Sequence, residues 1–320
     1  MTRKQPNLTP SKTLFKRSLL ALAMATVVSA PVIAAPQDDE LARFSAKKLP
    51  ASGQRQFSGF DITKLPGNRF AVVWGEYENG AEGLIKLQRF KKDGTADGAE
   101  VTVYTHPASD VGLPWRPVVA ADAQGNMVVA WAISDGIGSH SCSSFFEQHL
   151  MARLVLTQSG PAPELIAIDV ADTENACGID ASMDADGDFA LLWHLVESGD
   201  TGGKRLQLRV MPYQKSGVPA LLNPLKPIED NGVAFLPGQL AMLDDGSFMV
   251  AWSQVISGGA ENVDYAIRGQ RYSAANRTLA SNFRVDSQLE SALSGQLKPN
   301  VAVDGNGGYM VTWVELDSHE

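Results

Sequence analysis

Asn68-Arg69-Phe70-Ala71-Val72-Val73-Trp74 is the first of five copies of one short phrase; the others run from Gly125 to Trp131, Gly187 to Trp193, Gly246 to Trp252 and Gly307 to Trp313. Each copy reads as a turn residue, a polar or small residue, a run of apolar residues and a closing Trp. The tryptophans lie 57, 62, 59 and 61 residues apart. A period near 60 built from strand and turn signals marks a radial β-array, whose repeats bury their faces only by stacking on their neighbours.

Outward from the phrase, each unit reads as four antiparallel strands. The turn position holds Asn68, Gly125, Gly187, Gly246 and Gly307, the residue types that tolerate positive φ at the end of a type I hairpin turn. The segment before each turn is the expected first strand: Asp61–Leu65, Val118–Asp122, Asp180–Asp184, Gln239–Leu243 and Asn300–Asp304. The second strand, of which Met127 to Trp131 is typical, is apolar on both faces, as a strand covered on each side must be. Third strands follow at Ile85–Phe90, Leu150–Leu154, Leu206–Val210 and Ile267–Tyr272, each with an arginine (Arg89, Arg153, Arg209, Arg271) read as structural. Fourth strands are expected at Glu100–Tyr104, Leu165–Val170 and Asn282–Asp286, and around Leu221–Ile228, where Pro224 and Pro227 suit an outer edge.

The fifth copy stops seven residues after Trp313. Near the other end, Leu41-Ala42-Arg43-Phe44 matches Leu87-Gln88-Arg89-Phe90, so Glu40–Lys48 is the expected missing third strand and Gln54–Phe57 a candidate fourth. Joining the termini removes two open edges. The fold class is therefore all-β: a five-bladed β-propeller of four-stranded antiparallel blades, closed by N- and C-terminal strands that share the last blade.

The pattern Val-Ala-x-Asp-x-x-Gly-x-x-Val-Val-x-Trp, complete from Val119 to Trp131, resembles a repeat of secreted bacterial β-propeller proteins. The resemblance covers nearly all of the chain after its leader. It implies the architecture and no activity, since one fold hosts many functions.

Residues 1–34 are read as a signal peptide. Arg3, Lys4, Lys12, Lys16 and Arg17 form a basic start, Ser18 to Ala30 an apolar stretch, and Val32-Ile33-Ala34 the small-residue cleavage pattern. Residues 35–320 form a single domain on this reading, placed in the periplasm or the medium of a bacterium. Removing the leader takes five positive and no negative charges, so the net charge goes from −9 to −14. So acidic a surface argues against a nucleic-acid partner. No later stretch has the roughly 18 apolar residues of a membrane span. A monomer is expected.

Two constellations carry candidate chemistry. Trp115, the one Trp outside the repeat, is grouped with Arg116, His106, His140, Phe145 and Phe146 as a ligand-binding set near blade two; aromatics around polar groups suit a sugar ring or a partner segment. Cys142 and Cys177 are expected on the same face, bonded as a disulfide in an exported chain. On the first strands, which line the channel, Asp61 and Asp180 recur at one position, with Val118, Gln239 and Asn300 completing the ring. Two facing carboxyls suit an inverting glycosidase, which separates them by about 6.5–9.5 Å. Asp184-Ala185-Asp186-Gly187-Asp188 resembles a calcium loop only superficially and is read as turn chemistry. His194 is expected to cap its strand's end. No cofactor and no metal site is expected. The leading function is an exported, non-catalytic binding propeller for a glycan or an envelope protein; the alternative is a glycan-active hydrolase with Asp61 and Asp180 as catalytic carboxylates.

Overall fold

The computed structural model describes residues 55–78, 82–110, 112–134, 148–162, 164–168, 175–198, 204–227, 234–259, 262–275, 278–279, 281–286, 295–304 and 306–316. The chain divides into Met1–Ala42 and Arg43–Glu320, and every described residue lies in the latter unit. The described residues are all-β, with every strand pairing antiparallel.

Repeat one is a four-stranded sheet in chain order: β1 (Arg55–Leu65), β2 (Arg69–Glu78), β3 (Gly83–Phe90) and β4 (Val101–His106). Repeat two has β5 (Leu113–Ala121), β6 (Met127–Ser134) and β7 (Gln148–Leu156); on its outer side β8 (Gly160–Pro161) and β9 (Ile166–Ile168) both pair with β7. Repeat three supplies β10 (Asn175–Met183), β11 (Phe189–Ser198) and β12 (Lys204–Tyr213). Repeat four supplies β13 (Ala234–Met242), β14 (Phe248–Gly259), β15 (Asn262–Tyr272) and β16 (Phe283–Arg284). A single residue pair, Leu206–Ala234, joins repeats three and four into one seven-stranded sheet. The fourth strand of repeat three is reduced to bridges at Leu225 and Pro219, as prolines in an edge segment dictate. Repeat five shows β17 (Gly295–Val303) and β18 (Tyr309–Leu316) as a two-stranded sheet.

The five turn residues all take the conformation their chemistry allows: φ is 58° at Asn68, 83° at Gly125, 97° at Gly187, 80° at Gly246 and 82° at Gly307. In repeats two, three and five an Asp three residues earlier ties the turn. Asp122 Oδ1 accepts from the amides of Gln124 and Asn126 at 2.8 Å. Asp184 Oδ1 accepts from those of Asp186, Gly187 and Asp188 at 2.9 Å. Asp304 Oδ1 does the same for Asn306 and Gly308. The Asp-rich segment of repeat three is thus a tied hairpin turn.

The core lies between repeats and follows one rule. The residues three and five after each turn residue pack on those two, four and six after the next turn residue. Ala71 and Val73 meet Met127, Val129 and Trp131. Val128 and Ala130 meet Phe189, Leu191 and Trp193. Ala190 and Leu192 meet Phe248, Val250 and Trp252, and Met249 and Ala251 meet Tyr309 and Val311. In the first three of these contacts small or branched side chains on one face receive the Trp of the next repeat. Burying each such large apolar side chain contributes about 1.5–3 kcal/mol. Trp131, Trp193 and Trp252 are fully buried.

The structure corrects three expectations. The first strands begin about five residues earlier than read, so Arg55 to Phe57 belong to β1, paired with β2, and not to a fourth strand of repeat five. Of the third-strand arginines, Arg89 and Arg271 share a register, opposing Ala71 and Met249 three residues after the turn residue, whereas Arg153 opposes Val129 and Arg209 opposes Trp193. Arg153 and Arg209 donate to the carbonyls of Val103 and Leu208, which is a structural use. His194 does not cap a strand end; it lies mid-strand in β11, fully buried. His106 is buried at the end of β4, its Nδ1 3.2 Å from the Tyr104 hydroxyl, so it leaves the exposed constellation assigned to it.

Candidate functional site

The earlier start of each first strand has a cause that repeats five times. Its pairing with the second strand slips at Phe57/Gly59, Trp115/Val118, Cys177/Ile179, Leu236/Gln239 and Leu297/Asn300. The strand therefore continues through a bulge where Gly or Pro stands, and a bulge re-aims the side chains that follow it. Pairing resumes at Val118, Gln239 and Asn300 themselves, and Asp180 and Asp61 follow the resumed pairing at Ile179 and Gly59 by one and two residues. The sequence reading misses these bulges, although Ser58-Gly59, Arg116-Pro117, Gly178, Pro237-Gly238 and Lys298-Pro299 carry the signal: a glycine or proline inside a strand pattern.

The bulges are held by contacts to the next repeat. Ser58 Oγ donates to the Pro114 carbonyl at 2.7 Å. The Gly238 amide, freed from its ladder by the slip, donates to Nε2 of His194 at 2.9 Å, so the buried histidine of repeat three holds the bulge of repeat four. Gly59 is required where it stands: its φ is 136°, and a Cβ there would lie 2.9 Å from Arg116 Cα.

Asp61 and Asp180 have the same structural role in repeats one and three. Asp61 accepts from the amide of Ile62 at 2.8 Å and, across the repeat boundary, from that of Val119 at 2.9 Å. Asp180 Oδ2 accepts from the amide of Leu240 at 2.7 Å, and Ser182 Oγ accepts from that of Met242 at 3.0 Å. Burial pushes the Asp180 carboxyl up to about 7; the amides of Leu240 and Ala181 oppose the rise, and the charge of Asp61 adds to it. The two acids thus feel each other although they stand on non-neighbouring repeats. Asp180 is half-buried.

Trp115 and Arg116 lie in the bulge of β5, not in a loop. Trp115 is half-buried opposite Ala132, and Arg116 is exposed with φ at 47°. A bulky residue at positive φ stores strain of about 1–3 kcal/mol, which the surrounding structure must hold. Arg116 abuts Gly59, and Asp61, two residues on, binds the Val119 amide three residues beyond Arg116. The structure therefore brings Trp115 and Arg116 to the same repeat boundary as Asp61, uniting residues that the sequence placed in two constellations. His140, Cys142, Phe145 and Phe146 lie outside the described residues. Cys177 stands in β10 opposite His194. Among the described residues no group of three or more His, Cys, Asp or Glu could hold a metal ion, and no helix is long and apolar enough to cross a membrane.

No family model and no curated protein matches the chain. Among solved structures, it is similar to a protein of unknown function from Dyadobacter fermentans DSM 18053, with 9% identity over 81% of this chain and 75% of that one and a TM-score of 0.51. It is also similar to a Penicillium chrysogenum α-L-arabinanase complexed with arabinobiose, at 12% identity, 80% and 74% coverage and a TM-score of 0.49. A GH93 α-L-arabinofuranosidase of Fusarium graminearum in complex with arabinobiose follows at 10% identity, 82% and 77% coverage and a TM-score of 0.46. Identities near one in ten speak of chain path and not of chemistry.

Proposed function

We propose that this chain is an exported five-bladed propeller that hydrolyses a glycan with Asp61 and Asp180, the carboxylates of the channel mouth. One observation carries the reading: two inner strands from non-neighbouring repeats present an acid at the same position, and the enclosed one holds its proton up to about pH 7 partly through the charge of the other. Pairs of acids whose environments separate their protonation are the usual basis for dividing acid and base roles. Asp180, protonated near neutrality, donates to the leaving glycosidic oxygen. Asp61, which accepts from two amides, takes a proton from the attacking water. Trp115, half-buried at the repeat boundary that Asp61 bridges, is the aromatic that a sugar would stack on. The acidic surface of the processed chain disfavours polyanionic glycans, which points to a neutral one. Cleavage after Ala34 and a Cys142–Cys177 bond fit an exported enzyme.

A second reading, a binding propeller without catalysis, is favoured by a different observation. Both carboxylates already serve as staples between repeats, accepting from Val119 and Leu240. On that reading Trp115 and Arg116 contact the ligand and the acids only hold the ring.

The test is release of reducing ends from a panel of neutral polysaccharides. Wild-type protein should cleave at least one, and Asp61→Asn and Asp180→Asn should each lower the rate by about 10²–10⁴-fold. Binding of a glycan with no cleavage, weakened by Trp115→Ala and indifferent to both Asp changes, establishes the second reading instead.

A further inference from the structure

His194 is a buried titratable group with no part in the proposed hydrolysis, yet its contacts lead to Asp180. Three amides of β13, at Gly238, Leu240 and Met242, leave the strand on one side, as every second residue of a strand does. Each is taken by a side chain of repeat three. Gly238 donates to His194 Nε2 at 2.9 Å, Leu240 to Asp180 Oδ2 at 2.7 Å and Met242 to Ser182 Oγ at 3.0 Å. Asp180 pairs with Leu192 and Ser182 with Ala190, and paired residues share a face of the sheet. His194, two residues beyond Leu192, joins them on the face that packs against repeat four. Accepting at Nε2 requires the neutral ring, with its proton on Nδ1.

Repeat one serves its own acid by another means. Asp61 Oδ2 takes the Val119 amide, and two residues before Val119 stands Pro117. Proline fixes its own φ and has no amide to satisfy. The place after the repeat Trp, filled by His194 in repeat three, is Gly75 in repeat one, where a Cβ would collide with Ser58 Oγ. Two residues before Leu240 stands Gly238, which fixes no φ and brings an amide that needs an acceptor. A Cβ at Gly238 would crowd the Ala251 carbonyl oxygen at 3.0 Å and Leu208 Cδ2 at 3.3 Å, so the proline solution is disfavoured there.

We infer that His194 is the positioning residue of Asp180: by holding the Gly238 amide it fixes the bulge of repeat four, and so sets where the Leu240 amide meets the carboxyl. Pro117 does the same for Asp61 through Val119. The kinetic consequence rests on the hydrolase reading; the placement of the carboxyl does not.

The experiment compares His194→Leu, which cannot accept a hydrogen bond, with His194→Gln, whose side-chain oxygen can, in the full chain. The Asp180 carboxyl is followed through its titration by carbon NMR. Burial is the first cause holding that titration up, the Leu240 hydrogen bond opposes it, and the charge of Asp61 is the same in all three proteins. A loosened bulge that admits water therefore lowers the titration, by about one pH unit or more in His194→Leu, and His194→Gln should stay close to wild type. On any glycan the wild type cleaves, His194→Leu should lose about tenfold or more in kcat with KM changed by less than about twofold, and His194→Gln should recover most of it. Wild-type titration of Asp180 in His194→Leu overturns the inference and leaves the hydrolase reading standing. Absence of cleavage by the wild type overturns the hydrolase reading, and the titration still decides the role of His194. In the unaltered protein the Gly238 amide signal should move together with that of Leu240 as Asp180 titrates, because coupling between sites is reciprocal. A Gly238 signal that stays fixed overturns the inference even if His194→Leu fails to fold.

Discussion

Replacing Asp180 by Asn removes one titrating group and keeps an oxygen for the Leu240 amide, so it isolates the energy of holding that carboxyl in a dry place. In the unfolded chain the group titrates near 3.8, and in the folded chain it is pushed up to about 7, first by burial and further by Asp61. A carboxyl raised on folding stabilises the fold below the unfolded value. That advantage shrinks as pH rises, because the unfolded chain releases the proton first, and it is gone once the folded group also ionises. The difference of about three pH units corresponds to about 4 kcal/mol at most, since one unit is worth about 1.36 kcal/mol. Urea unfolding from pH 4 to 8 measures it. Wild-type stability should fall relative to Asp180→Asn by about 2–4 kcal/mol over that interval, with the change complete just above pH 7. In the Asp61→Asn background the fall should shrink, because one cause of the rise is gone. A wild-type-minus-variant difference that stays flat with pH refutes the enclosed, charge-coupled carboxyl and the acid role built on it.

Other consequences test the frame around the site. Asp184→Ala deprives three turn amides of their acceptor and should cost about 1–3 kcal/mol in urea unfolding, far more than a neutral surface change. His194→Leu leaves the Gly238 amide buried without its acceptor and should cost about 1–3 kcal/mol, with faster amide exchange at the repeat-four bulge; unchanged exchange there contradicts the assigned support. Peptide mapping of protein taken from the periplasm or medium should recover a Cys142–Cys177 link, and two free thiols under those conditions refute it.

The turn positions are legible because few residues accept positive φ, so Asn68 and the four glycines announce themselves in any sequence. The Trp-to-Trp period is legible because each repeat can bury its faces only against the next. The bulges are not, because Gly and Pro signal both a strand end and a bulge inside one. Taken as boundaries, Arg116-Pro117 and Gly178 cut the first strands short and put Trp115 in a loop. His194 misleads for a related reason: β11 is covered on both faces, so a polar residue in it breaks no alternation and looks like an end. Of the third-strand arginines only Arg89 and Arg271 share a register, because register depends on pairing across strands. The proximity of Asp61 to Arg116 follows from neighbouring inner strands running side by side, a relation between residues more than fifty apart that no local pattern contains.

The most direct test of the paired carboxylates is the pH dependence of kcat/KM for whichever neutral glycan the protein cleaves. Activity should fall as pH rises through about 7, where Asp180 loses its proton, and Asp180→Asn should abolish the step rather than shift it. An alkaline limb at the same pH in Asp180→Asn, or full activity in that variant, contradicts the pairing.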